Sequence, residues 1–182
     1  MVRGARRTVH VNDNLMANIL IVDDEQSYRQ LLTLVFEEGG NKVRTAMNGR
    51  QALTAIEEEP ADVIVSDVKM PDMDGIEMLR AVRETSPDIG VVLMTAFASV
   101  ETAREAFKLG ADDFIQKPFD VEELKLIVKK TLEKQALIDE NRAFKRAQTE
   151  IEFGEARSAG VEQIRRVLVK RLVAVPPLLE KQ

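Results

Sequence analysis

The sequence predicts an α/β protein: a doubly wound, five-stranded parallel sheet with helices on both faces. Three observations carry that expectation. Short, β-branched apolar runs alternate with stretches of helical periodicity five times from Ala17 onward. The connections are two to six residues long, as in βα units packed around a parallel sheet. Acidic, hydroxyl and basic side chains follow the apolar runs, at the strand ends where doubly wound proteins carry their ligands.

The first run, Asn18–Val22, is apolar throughout after its opening Asn18, as a strand buried on both faces requires. Gln26–Glu38 places Leu31, Leu32, Val35 and Phe36 on one helical stripe, stopped by Gly39 and Gly40. Lys42–Thr45 reads as a weak second strand. Arg50–Glu58 is a helix with Ala52, Leu53 and Ile56 inward, ended before Pro60. Asp62–Ser66 is a third strand, Gly75–Glu84 a third helix and Val91–Met94 a fourth strand. Ser99–Leu109 forms a helix closed by Gly110, Asp113–Ile115 a short fifth strand, and Val121 opens a long final helix. Right-handed crossovers leave few arrangements for such units. A flavodoxin-like order 2-1-3-4-5 with an extended C-terminal helix is the economical one.

Composition narrows the chemistry. At 182 residues the chain suits one ordinary domain with extensions. It has no cysteine, which removes disulfides, thiolate metal sites and cysteine nucleophiles. Its one histidine, His10, lies in the polar N-terminal stretch, so neither a multi-histidine metal site nor a Ser-His-Asp triad can be built. No apolar run approaches the roughly 18–20 residues of a membrane span, and no signal peptide is evident, which points to the cytoplasm. Residues 1–16 read as a disordered leader, and Met16 is the expected natural start. Residues 17–130 carry 13 Lys/Arg against 22 Asp/Glu, whereas the segments on either side are each weakly basic at +2. So acidic a body repels nucleic acid, and direct DNA binding by this chain is not expected.

The strand ends form a chemically coherent set. Strand one leads into Asp23, Asp24 and Glu25, strand three into Asp67, strand four into Thr95 and Ala96, and strand five to Lys117 and Pro118. Any one of these suits an ordinary polar loop; all of them at successive strand ends do not. Crowded carboxylates repel unless a cation neutralises them. A hard divalent cation such as Mg²⁺ takes one or two carboxylates and completes its shell with water and phosphate oxygens. Phosphoryl transfer needs little more than such positioning and positive charge. Asp67 is the candidate nucleophile, with Lys117 and Mg²⁺ facing phosphoryl oxygens, Thr95 donating its hydroxyl and the small Ala96 leaving room for entry.

These residues carry a family resemblance. The stretches Ile21–Glu25, Asp67–Gly75, Met94–Ala96 and Gly110–Phe119 resemble, in order, the motifs of the receiver domain of bacterial two-component response regulators, of the nitrogen-regulation type with the effector module absent or truncated. The resemblance implies that Asp67 is the phosphoacceptor. Asp24 is then a direct Mg²⁺ ligand, Asp23 acts mainly through a metal-bound water, and the Lys69 carbonyl completes the protein ligands. It further implies that Thr95 and Phe114 are a switch pair, that Lys117 binds phosphate, and that the Lys117–Pro118 bond is cis. Phosphorylation would add about -1.5 to -2 charges at Asp67, draw Thr95 inward and let Phe114 fill the vacated space. The face of helix four, strand five and helix five is then remodelled. The implied partner is a sensor histidine kinase or phosphotransfer protein, and a homodimer through that face or the linker helix is expected.

Competing signals are weaker. Asp72–Gly75 hints at a calcium loop, but Met70 stands where an EF-hand needs its first acidic ligand. Met47, Met70, Met73, Met78 and Met94 read as packing or loop residues. Glu57–Glu59 reads as a solvated helix end, and Lys125, Lys129 and Lys130 decorate the last helix. The expected organisation is a receiver domain at 17–133, a linker helix at 134–152 and an amphipathic tail at 153–182. Leu137, Asn141, Phe144, Gln148 and Ile151 follow coiled-coil spacing over two heptads, which equally suits an exposed linker. Val161–Val175 forms a further amphipathic pattern, read as an effector remnant or an interaction helix. The chain holds no GxxxxGK[ST] loop, so an ATPase is excluded. Two other classes remain as comparisons: a docking module independent of phosphorylation, and a Mg²⁺-dependent phosphohydrolase. Only slow turnover of its own aspartyl-phosphate is expected of a receiver, which is not an enzyme in the usual sense.

Overall fold

The computed structural model describes residues 16–96 and 99–145, and its five parallel strands lie in the order β2-β1-β3-β4-β5. They are β1 Asn18–Val22, β2 Lys42–Ala46, β3 Val63–Asp67, β4 Gly90–Thr95 and β5 Asp113–Gln116. Between them run α1 Gln26–Glu38, α2 Gly49–Glu58, α3 Gly75–Thr85 and α4 Val100–Lys108. Residues 121–145 are helical and are termed α5. One compact unit ends at Asp139 and a second begins at Glu140. Among the described residues no helix is long and apolar enough to cross a membrane.

Strand alternation divides the core into two layers. Leu20, Val22, Ile64, Val91 and Leu93 point to one face and pack with Ala52 and Ile56 of α2, Met78, Leu79 and Val82 of α3, and Ala106 of α4. Ile19, Ile21, Val63, Val65, Val92 and Met94 point to the other and meet Leu32 and Phe36 of α1 and Leu124 and Val128 of α5. Full burial of an aliphatic side chain contributes about 1.5–3 kcal/mol, so the three central strands dominate the stability.

The strands extend past the expected ends where it matters. Asp67 pairs with Met94 and Thr95 with Gln116, so both are the last residues of strands and the ladder fixes their backbones. The apolar stripe of α1 is narrower than expected. Leu32 and Phe36 are buried, but Leu31 is 45% exposed, because one residue earlier along a helix turns the side chain away by about 100°. Of the methionines, Met78 and Met94 are wholly buried, while Met47 is exposed.

Three helices begin at the carboxyl edge of the sheet with a side-chain cap. Asn48 accepts from the Gln51 amide, Ser99 from the Thr102 amide, and Asp74 forms a capping box with Glu77. Each such cap contributes about 1 kcal/mol. The opposite edge is closed by a charged cluster. Arg83 of α3 donates to the carbonyls of Gly110 and Ile89 and to Asp112, while Asp112 also accepts from the Val91 amide and from Lys134 of α5. Leu137 and Phe144 are exposed. Residues 1–15 of the expected leader, the seam positions Gln148 and Ile151, and the amphipathic pattern expected at Val161–Val175 lie outside the described residues.

Candidate functional site

The strand order sets β1 beside β3, and their carboxyl ends bring Asp23 and Asp67 together. Asp23 directly follows β1, and its amide donates to the Ala46 carbonyl at the end of β2. Its carbonyl accepts from the Arg29 guanidinium at 2.6 Å, which ties the first turn of α1 to the strand end. Asp67 closes β3, and the next turn is held by the Val68 amide on the Met94 carbonyl. Gly75 permits the return of the chain. A Cβ there would stand 2.2 Å from the Asp67 carbonyl oxygen, and its amide donates to the Val68 carbonyl at 2.9 Å. Only a residue without a side chain lets α3 start so close behind Asp67.

Lys117 reaches this pair from the other side of the sheet. It follows β5, with its amide on the Thr95 carbonyl at 2.7 Å, and its peptide bond to Pro118 is cis. Its ammonium donates to Asp23 Oδ2 at 2.6 Å and to Asp67 Oδ2 at 2.8 Å. The other carboxylate oxygens accept backbone amides: Asp23 Oδ1 from Glu25 at 2.9 Å, and Asp67 Oδ1 from Lys69 at 3.2 Å. The ammonium also lies 4.1 Å from the centre of the Tyr28 ring.

Burial and charge pull against each other at these groups. Asp23 is completely buried, and burial pushes its carboxyl above the usual aspartate value, against the lysine and amide hydrogen bonds that lower it. Burial alone would lower the Lys117 ammonium, but its hydrogen bonds to Asp23 and Asp67 prevail and hold it above the usual lysine value. Lys117 therefore stays charged. Asp67 keeps 12% of its side chain exposed, enough for a reactant to reach it.

The remaining candidates fall around this centre. Asp24 is exposed beside it, and Asp23, Asp24 and Asp67 each offer a carboxylate oxygen within 4.8 Å of the others. Three hard oxygen donors of that closeness suit Mg²⁺. Lys69 is exposed one turn beyond Asp67, and Ala96 is exposed at the end of β4. Thr95 is buried, and Phe114 is half-buried on the neighbouring strand. Strand alternation puts Thr95 on the same face as Leu93, whose paired residue is Phe114.

Strand-end reasoning gives no role to Tyr28, Arg29 or Asn48, which also build the site. Asn48 caps α2 and donates to Asp72 Oδ2 at 3.1 Å, steadying the loop after Asp67 at a residue with positive φ. The one signal that could have marked Tyr28 is its rarity, as the single tyrosine of a chain without tryptophan.

A parallel sheet with three carboxylates and a lysine at its carboxyl edge defines a class of phosphoryl-handling signalling domain. The family model of the response regulator receiver domain matches residues 19–129. Regulatory protein AtoC of Escherichia coli (strain K12) is 45% identical over 124 residues, which are 68% of this chain and 27% of that protein. Sporulation initiation phosphotransferase F of Bacillus subtilis (strain 168) is 41% identical over 114 residues, 63% of this chain and 92% of that one. NtrX from Brucella abortus superposes with a TM-score of 0.68 at 32% identity, over 71% of this chain and 30% of that structure. The chain belongs to the response regulator receiver family. It spans 27% and 29% of the first two curated relatives, AtoC and ZraR, so it matches only the receiver part of such proteins.

Proposed function

We propose that the chain accepts a phosphoryl group on Asp67 from a histidine kinase or phosphotransfer protein, in a Mg²⁺-dependent reaction, and signals through an altered surface. The contact of Lys117 with both Asp23 and Asp67 carries this reading. It leaves a carboxylate oxygen beside a fixed positive charge at a point that solvent reaches.

In the transfer, an Asp67 oxygen forms a new bond to phosphorus, and the bond from phosphorus to the donor's leaving atom breaks. The electron pair of that bond departs with the donor. Lys117 faces the developing negative charge of the phosphoryl oxygens, and the Thr95 hydroxyl donates to one of them. Asp23, Asp24, Asp67 and the Lys69 carbonyl would hold Mg²⁺, which when bound supplies further positive charge against the same oxygens. The exposed Ala96 keeps the approach open. Inward movement of Thr95 then frees space for Phe114, a response supported by their shared face of the sheet.

On this reading the receiver domain is residues 17–133 and the linker starts at 134; residues 146–182, read from sequence as the rest of the linker and an effector remnant or interaction segment, lie outside the described residues. Helix α5, running from 121 to 145, supports continuity into that linker. Val100 at 73% and Phe107 at 51% exposure on α4 support a homodimer through the α4-β5-α5 face, and the linker helix is the other candidate. The acidic body of residues 17–130 argues against direct DNA contact, and the cytoplasm is the assigned compartment. Like its family, the domain signals rather than turning over an external substrate.

Intact mass after incubation with acetyl phosphate and Mg²⁺ tests this reading. One phosphoryl group on wild type and none on Asp67→Asn is expected. A folded wild type that gains no adduct would overturn it in favour of a docking module independent of phosphorylation.

A further inference from the structure

Lys117 is held by more than its two carboxylates. Its ammonium sits 4.1 Å from the centre of the Tyr28 ring, well inside the about 6 Å over which a cation is attracted to an aromatic face. The ring is itself braced, tilted at 51° against Phe119 with centroids 6.2 Å apart. Tyr28 stands in the first turn of α1 and Phe119 two residues past Lys117, so the aromatic pair ties the helix to the segment that carries the lysine.

We propose that Tyr28 is a positioning residue for phosphoryl transfer, holding the Lys117 ammonium against Asp67 through its ring face. The proposal deepens the phosphoacceptor reading and rests on it. A lysine needs such a guide, because its flexible stem lets the ammonium follow whichever carboxylate attracts it most. Once an Asp67 oxygen is esterified, the ammonium is drawn both by the buried Asp23 and by the new phosphoryl oxygens, so its place is no longer fixed by the carboxylate pair alone. A further carboxylate placed on the lysine would also hold it but would repel the incoming phosphoryl group. An aromatic face attracts the cation while adding no net charge, so it can keep Lys117 in place before, during and after transfer.

The test compares initial rates of Asp67 phosphorylation by acetyl phosphate and Mg²⁺ in the full chain. Tyr28→Phe keeps the ring and should hold the rate within about twofold, whereas Tyr28→Leu should slow it about tenfold, by loss of the cation–π contact. Urea unfolding of both variants separates this from loosened packing, and Tyr28→Met serves if the leucine variant is unstable. A leucine variant as fast as wild type overturns the proposal. So does a phenylalanine variant as slow as leucine, since the hydroxyl and not the ring would then matter. Because Tyr28 is the only tyrosine and tryptophan is absent, its emission reads the contact without any reaction. Lys117→Met should change that emission, and identical spectra would remove the contact even if wild type is phosphorylated. Wild type that gains no phosphoryl group, with the emission change intact, would instead bring down the phosphoacceptor reading and with it the role in transfer.

Discussion

The two edges of the sheet treat charge in opposite ways. At the amino edge, Arg83 and Asp112 close a network in which the carboxylate accepts from a guanidinium, an ammonium and a backbone amide. At the carboxyl edge, three carboxylates crowd around one lysine, and the buried Asp23 carboxyl is pushed up by loss of solvent. Both edges are built from residues that follow or precede strands of the same sheet. The amino edge binds helices to strands, while the carboxyl edge keeps an excess of negative charge that an incoming cation can relieve. One edge holds the fold by paired charges, and the other keeps its charges unbalanced.

Substitutions should separate the two edges. The largest loss of stability is expected from Arg83→Leu, which strips the carbonyls of Ile89 and Gly110 and half-buried Asp112 contacts of their donor. Urea unfolding should show a loss of about 3 kcal/mol, with the rate of phosphorylation of the remaining folded protein unchanged. A fall in that rate would mean that the edges are coupled. Gly75→Ala comes next and acts at the functional edge, since its Cβ would overlap the Asp67 carbonyl. It should cost about 2–3 kcal/mol and, unlike Arg83→Leu, also slow phosphorylation by displacing Asp67.

A smaller effect of opposite sign is expected from the metal. If Mg²⁺ is held by the folded carboxylate cluster and not by the unfolded chain, Mg²⁺ at ten times its Kd should stabilise wild type by about 1.4 kcal/mol, reversed by EDTA. Asp24→Ala should abolish most of that gain and Arg83→Leu should leave it intact, as thermal melts would show. The smallest change expected is from Asp74→Ala, which removes the α3 capping box and should cost about 1 kcal/mol with or without metal.

Much of this is legible in the sequence. Continuous apolar runs such as Ile19–Val22 mark strands buried on both faces, since no other short element buries every side chain. Reading the residue after each run led to Asp23, Asp67, Thr95 and Lys117, because a parallel sheet gathers its carboxyl ends along one edge. The exposed Leu31 was not legible, since Leu31 and Leu32 are equally apolar and only the docking angle of α1 chooses between them.

By itself the sequence determined the order of the elements, the edge that carries the chemistry and the kinds of side chain found there. Those follow from local periodicity and from the short connections, which allow few topologies. Tertiary structure alone decided which groups touch. Arg83 meets the Gly110 carbonyl across 27 residues, and Lys117 meets Asp23 across 94. Tyr28 faces that same ammonium only because α1 and the end of β5 converge at the sheet edge. Contacts of this kind depend on packing distances of a few tenths of an ångström, which no pattern along a chain encodes locally.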